Sequence, residues 1–95
     1  MEIFVVVINE VYDMETFDDN VKVFHEQTEA TKYLTSQKES ALHDYREKFE
    51  EEDIGFTEND YEFEVYEHGC YSEFHVTGRI YKFAEENGTF KSIWE

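Results

Sequence analysis

The sequence contains no proline, one cysteine and four isolated glycines among its 95 residues. The single cysteine, Cys70, excludes an intrachain disulfide framework, so a reducing, cytoplasmic environment is expected. The glycines never cluster, which excludes a phosphate-binding loop. The longest apolar run, IFVVVI at residues 3–8, is too short to span a membrane and is expected to be a strand rather than a signal peptide. No linker interrupts residues 1–95, which predicts a single domain.

Basic side chains are also scarce. Lysine and arginine number 8 against 24 aspartate and glutamate residues, which gives a formal charge of −16. Nucleic acids and anionic membranes would be repelled, so direct binding to either is not expected. The same field would attract a basic protein. Alternatively, the negative charge serves only to keep the protein soluble.

The first part of the chain predicts two antiparallel strands. Residues 3–11 carry β-branched and aromatic side chains on both alternating faces, which is typical of a central strand covered on both sides. The segment VKVFH at residues 21–25 is a second, shorter strand, and residues 12–20 are expected to connect the two.

Residues from about 27 to about 52 then show the three- and four-residue spacing of an amphipathic helix. The apolar face is expected to consist of Ala30, Tyr33, Leu34, Gln37, Ala41, Tyr45 and Phe49. Glu50, Glu51 and Glu52 crowd the negative end of the helix dipole, which is unfavourable by a few tenths of a kcal/mol per charge, and the last turn is expected to fray.

The remainder of the chain predicts a hairpin. Gly55 is a helix stop and residues 56–60 are a connection, followed by a half-buried strand at residues 61–67 and a return strand from Tyr71 to Phe83. Asn87-Gly88 indicates a second turn, after which TFKSIW would add a short strand.

The fold class is therefore α+β. We expect a two-layer sandwich in which a mainly antiparallel sheet of four to five strands, in the order β-β-α-β-β with a possible C-terminal addition, packs on one long helix. The other sheet face would be covered by the C-terminal segment with Phe90, Ile93 and Trp94, or by a second copy in a homodimer.

Catalytic and metal chemistry find little support in the sequence. His68, Cys70 and His75 are close together but lack the spacing of a metal site, and Glu67 and Glu73 would oppose a reactive Cys70 thiolate. We expect no enzyme activity, no metal and no cofactor.

Charge carries the most specific prediction. The chain from Asp44 to Glu67 holds eleven acidic and two basic side chains. Neighbouring carboxylates would stand about 5–6 Å apart on the helix and about 6.6 Å apart on the strand, in rows able to imitate a phosphate backbone. The predicted partner-binding residues are Asp44, Glu47, Glu51, Glu52, Asp53, Glu62, Glu64 and Tyr66. They would form one continuous anionic surface only if the helix end and the following strand converge in space.

The stretch VKVFHEQTEATKYL, and the later YEFEVYEHGCYSEFHVTGRIYKF, resemble small uncharacterised bacterial and phage proteins of β-β-α-β-β design. This resemblance implies a fold and nothing catalytic. In size and acidity the chain is also similar to phage anti-defence proteins, including anti-CRISPR proteins that occupy nucleic-acid channels.

The leading hypothesis is an acidic inhibitor of a basic, nucleic-acid-handling protein such as a CRISPR effector. An immunity protein against a basic toxin would use the same physics. The alternative is a non-enzymatic module that dimerises through its open sheet face, with the charge serving solubility.

Overall fold

The computed structural model places one long helix on one face of an antiparallel sheet, and it describes residues 2–12, 15–16, 20–69, 74–86 and 88–92. The elements in chain order are β1 (Glu2–Tyr12), β2 (Glu15–Thr16), β3 (Asn20–Phe24), α1 (Gln27–Lys48), a 3₁₀ helix (Glu51–Asp53), β4 (Ile54–Asn59), β5 (Glu62–Glu67), β6 (Phe74–Glu86) and β7 (Thr89–Ser92). The predicted α+β class and its element order, with the additional C-terminal strand, are confirmed.

The long strands β1 and β6 form the centre of the sheet. They pair antiparallel without interruption from Glu2 opposite Ala84 to Tyr12 opposite Phe74. The outer edge of β1 pairs first with β3 and then with β2. The outer edge of β6 pairs with β5 and then with β7, and β4 completes the sheet beside β5. The predicted antiparallel pairing of the first strand with VKVF is thus confirmed, and the first strand is central.

Strand alternation and helix periodicity converge on one core. Side chains two residues apart share a sheet face, so alternate apolar residues of β1, β5 and β6 meet the apolar stripe of α1. The buried residues are Phe4, Val6, Ile8, Phe63, Val65, Val76 and Ile80 from the sheet and Ala30, Leu34, Ala41, Leu42 and Tyr45 from the helix. Of the predicted helix face, Tyr33, Gln37 and Phe49 are only half-buried. Burial of each large apolar side chain stabilises the fold by about 1.5–3 kcal/mol.

The helix ends earlier than predicted. α1 stops at Lys48, where the Phe49 N–H donates to the Tyr45 carbonyl oxygen at 2.8 Å and the backbone of Phe49 turns extended. The Phe49 ring lies 5.4 Å from Tyr45 and 5.2 Å from Phe74, centroid to centroid. Packing of this ring against the sheet therefore competes with continuing the helix into an acidic segment that its dipole disfavours.

Two sequence predictions between the helix and the hairpin are wrong. Residues 56–60 are not a connection, because Ile54–Asn59 forms β4 and pairs with β5 over six positions. Gly55 is not a helix stop but lies inside that strand, where the ring of Tyr66 occupies the space that a Cβ at residue 55 would fill. The segment IGFTEN has only two large apolar side chains, which is too weak a pattern to predict a strand.

Several predictions fall outside the described residues. These are Cys70, the first three residues of the predicted return strand, Asn87, and the proposed cover from Ile93 and Trp94. Among the described residues, α1 covers one face of the sheet and no helix or strand covers the other. We refer to this second side as the open face.

Candidate protein-binding surface

The eight predicted partner-binding residues divide into two groups. The helix-end group consists of Asp44, Glu47, Glu51, Glu52 and Asp53, and the sheet-face group consists of Glu62, Glu64 and Tyr66. The first belongs to the exposed side of α1 and the 3₁₀ helix, and the second belongs to β5.

All five residues of the helix-end group are exposed. Glu51 forms an ion pair with Arg46, whose Nε lies 3.3 Å from the carboxylate, and the Glu47 carboxylate lies 3.0 Å from His43 Nε2. Solvent-exposed pairs of this kind contribute at most about 1 kcal/mol each, because water and salt screen them. The helix-end group is therefore a solvated acidic surface that is neutralised only in part.

The sheet-face group points away from the helix. Phe63 and Val65 are buried against α1, so the alternation of β5 directs Glu62 and Glu64 onto the open face. The Glu62 carboxylate accepts a hydrogen bond from Asn59 Nδ2 at 2.8 Å.

Arg79 is the cation beside this group. Its Nη1 lies 3.6 Å from Glu62 Oε2, and its guanidinium lies 5.2 Å from the centre of the Tyr81 ring. Its Nε atom is buried and has no hydrogen-bond partner among the described residues. At the other end of β5, the Tyr66 ring covers Gly55 and meets the His68 ring edge-on at 5.4 Å.

The helical carboxylates of the helix-end group do not converge with Glu62 and Glu64. The exposed side of the helix and the open face of the sheet are opposite sides of a two-layer fold, with the core between them. The carboxylates on α1 and those of Glu62 and Glu64 therefore belong to two separate anionic surfaces, whereas the backbone of Asp53 adjoins β5, because its carbonyl oxygen accepts a hydrogen bond from His68 N–H at 2.8 Å.

The open face also carries an apolar row. The sequence predicted an open sheet face that a second copy could cover, but it did not single out Val21 and Val23. Val21 and Val23 of β3 are 52% and 56% exposed, although valine favours the interior. Register places them beside half-buried side chains of β1 and β6 on the same face. The apolar row comprises Ile3, Val5, Val7, Val21, Val23, Tyr81 and Phe83. The available signal was the alternation in VKV beside a first strand that is apolar on both faces.

A concave region of about 360 Å³ lies between the apolar row and the sheet-face group. Val7 and Tyr81 line it from one side and Glu62, Glu64 and Arg79 from the other. A protein surface with both apolar and cationic side chains would complement it.

In the described part of the chain, metal ligation and acid–base chemistry concern His68, His75 and Tyr45. No group of three or more histidine, cysteine, aspartate or glutamate side chains there could hold a metal ion. His68 lies at a turn and His75 on β6, while Cys70 is outside the described residues. Burial, reinforced by the nearby Glu10 carboxylate, raises the pKa of the Tyr45 hydroxyl above its ordinary value. That hydroxyl has no hydrogen-bond partner and is part of the core.

Comparison with protein-family models, curated proteins and solved structures found no match. Within the described residues, no helix has the length and apolar character needed to cross a membrane.

Proposed function

We propose that this protein is a small, non-enzymatic inhibitor that binds a basic, nucleic-acid-handling protein through its open face. The observation that carries this proposal is that the exposed Val21 and Val23 share that face with the Glu62 and Glu64 carboxylates. A solvated acidic surface has no need of exposed β-branched side chains. Apolar contact surrounded by charge is typical of protein interfaces.

The two parts of this surface would act at different stages of binding. The net charge of −16 would accelerate the encounter with a basic partner, and this steering weakens as salt screens the charges. The apolar row would supply affinity after contact, at about 25 cal/mol for each Å² of apolar area removed from water. The partner surface would thus combine lysine or arginine with aliphatic or aromatic side chains.

A CRISPR effector is one partner of this kind, and an anti-CRISPR role is the specific form of the proposal. Because the two acidic groups lie on opposite sides, we infer that inhibition uses one face at a time. The partner's nucleic-acid surface would be covered by the open face, and the helix-end group would contribute long-range attraction.

Capture from the native host tests this proposal. The immobilised protein is expected to retain a basic partner protein from the host. The nucleic acid that the partner normally handles should displace the partner from the immobilised protein. Raising the salt concentration from about 50 mM to about 300 mM should weaken the complex. A ternary complex in which the nucleic acid and this protein bind together at full affinity would refute inhibition by occlusion.

The apolar row, which no described helix or strand covers, also favours a second function, a module that dimerises through the open face. Sedimentation equilibrium would then give twice the chain mass of 11.5 kDa, and the double change Val21→Lys and Val23→Lys would restore the monomer. Neutralising the helix-end group should leave such a dimer intact. A mass near 11.5 kDa at micromolar concentration would exclude this function.

A further inference from the structure

The outer strand β4 leaves one edge of the sheet available. His68 N–H donates to the Asp53 carbonyl oxygen at 2.8 Å, which marks these residues as a hydrogen-bonded pair at the start of the β4–β5 ladder. In an antiparallel ladder such pairs recur at every second residue. The following pairs in this register are Gly55–Tyr66, Thr57–Glu64 and Asn59–Glu62. The intervening residues of β4, Ile54, Phe56 and Glu58, therefore direct their backbone groups outward.

Two of these outward N–H groups have no backbone partner among the described residues. Ile54 N–H donates to the Glu51 carbonyl oxygen and closes the 3₁₀ helix. Phe56 and Glu58 lie beyond that turn, and β4 pairs only with β5. Their N–H and C=O groups provide a template on which a further strand can pair.

The strand β4 itself lacks proline, lysine and a bulge, although Glu58 is charged and forms an ion pair with Lys38 of α1 at 3.1 Å. Sheet edges are commonly protected by proline, by lysine or by a bulge. The strand IGFTEN contains neither residue, and its six consecutive pairs with β5 leave no bulge. At the opposite edge, β3 is protected by Lys22, which is exposed. β4 thus differs from β3 in having no lysine of its own.

The side chains around the edge define what it would bind. On the helix side, Phe56 is 39% exposed, and Lys38 Nζ of α1 lies 5.9 Å from the centre of its ring and 3.1 Å from the Glu58 carboxylate. On the open face, Glu62 and Glu64 of β5 lie two strand spacings, about 9.6 Å, from an added strand. A long lysine or arginine side chain can extend toward them. An apolar side chain would contact Phe56 from the alternate position of the same strand.

We propose that the β4 edge binds an extended basic segment of the protein partner by strand addition, with alternating apolar and cationic side chains. The basic character of the segment rests on the proposed function, whereas the strand addition rests on the edge alone. Backbone hydrogen bonds supply affinity in this mode and the alternating side chains supply specificity. The occupied edge would extend the sheet next to the open face.

An alternating lysine–valine peptide of eight residues with blocked ends is a suitable probe. In a ¹H–¹⁵N spectrum it should shift the amides of Phe56 and Glu58 most strongly. The same peptide N-methylated at every second residue cannot donate those hydrogen bonds, and it should bind at least about threefold more weakly. Equal binding of the two peptides, or shifts confined to other residues, would overturn strand addition.

Matched variants separate the backbone from the side chain. Phe56→Ala and Phe56→Pro both remove the ring, but only proline removes the outward N–H. We expect Phe56→Pro to bind the peptide about three- to tenfold more weakly than Phe56→Ala. Equal affinities would overturn the proposal. If Phe56→Pro does not fold, the N-methylated peptide decides the question with the unaltered protein.

Two further measurements identify the occupant. A peptide that alternates glutamate and valine should bind far more weakly. If the glutamate peptide binds at the β4 edge as tightly as the lysine peptide, strand addition still holds. The preference for a basic segment is then refuted, and the proposed basic partner loses this support. Concentration-dependent shifts of Phe56 and Glu58 without peptide would identify a second copy of the chain as the occupant and overturn the proposal.

Discussion

Gly78 and Gly55 each lie beneath an aromatic ring, but on opposite faces of the sheet. A Cβ at residue 78 would collide with the ring of Phe63 and with the Ile8 side chain, both of which are buried. A Cβ at residue 55 would meet only the Tyr66 ring, which is half-buried and can move aside. The same residue type therefore has a packing role at one position and an adjustable contact at the other.

Gly78→Ala is expected to destabilise the protein by about 1–3 kcal/mol, because the close-packed core must shift to admit one methyl group. Urea unfolding would measure this change. The matched control is Gly69→Ala, where the nearest atom to an added Cβ is a flexible carboxylate oxygen of Glu67 at 3.4 Å. That substitution should change the free energy of unfolding by less than about 0.5 kcal/mol. Equal effects at both positions would contradict this account of the core.

The buried hydroxyl of a second single residue, Tyr45, predicts that the free energy of unfolding depends on pH. Burial, followed by the nearby Glu10, raises its pKa in the folded protein above the ordinary value of 10.0, which applies after unfolding. The unfolded chain therefore loses this proton first as the pH rises. Stability falls through the window that begins near pH 10, by up to about 1.4 kcal/mol per pH unit.

Tyr45→Phe should remove this contribution and leave stability at neutral pH equal to or above that of the unaltered protein, because the hydroxyl has no hydrogen-bond partner in the described part of the chain. Unfolding free energies at pH 8 and pH 10.5 would test both expectations. Tyr61→Phe is a control at a hydroxyl on the less buried hairpin turn. If Tyr45→Phe still loses as much stability between pH 8 and pH 10.5 as the unaltered protein, Tyr45 is not the source of that loss.

At the scale of elements, the sequence was informative where periodicity was strong. The alternation of β1 and the three- and four-residue spacing of α1 both predict the core that they form. The end of α1 and the existence of β4 depend instead on long-range packing. Phe49 leaves the helix to contact Phe74, which is 25 positions away in the chain, and β4 exists because β5 provides its hydrogen-bond partners. Local secondary-structure propensity carries no information about either of these contacts.

The ladder alternation in β4 predicts opposite outcomes for neighbouring proline substitutions. The Thr57 N–H points toward β5, so Thr57→Pro removes a ladder hydrogen bond and should destabilise the protein by about 1–3 kcal/mol. The Phe56 N–H points outward, so Phe56→Pro should cost little more than Phe56→Ala. Chemical denaturation of the three variants would measure the differences. If Phe56→Pro loses more stability than Thr57→Pro, then the Phe56 N–H rather than the Thr57 N–H points toward β5, and the assigned alternation is wrong.

At the scale of the whole molecule, charge and architecture answer different questions. Composition predicts the field of a −16 chain and the residue types that produce it. It does not say which carboxylates act together, because a two-layer fold sends the solvated side of the helix and the open face of the sheet in opposite directions. The apolar row beside Glu62 and Glu64 depends on the β1–β3 and β1–β6 register, which the sequence leaves open.

The central claim is that the open face, rather than the helix-end group, binds the partner. Two variants are matched to test it. The sheet-face variant carries Glu62→Gln and Glu64→Gln, and the helix-end variant carries Asp44→Asn and Glu51→Gln. Each removes two negative charges, so their long-range fields change equally and only the position of the loss differs.

The most direct measurement is the affinity of the purified captured partner for both variants and for the unaltered protein, at about 50 mM and about 300 mM salt. We predict that the sheet-face variant binds about tenfold more weakly even at the higher salt concentration, because it loses contacts within the interface. The helix-end variant should differ from the unaltered protein mainly at low salt. The reverse order, with the helix-end variant losing affinity at high salt and the sheet-face variant unaffected, would contradict the claim.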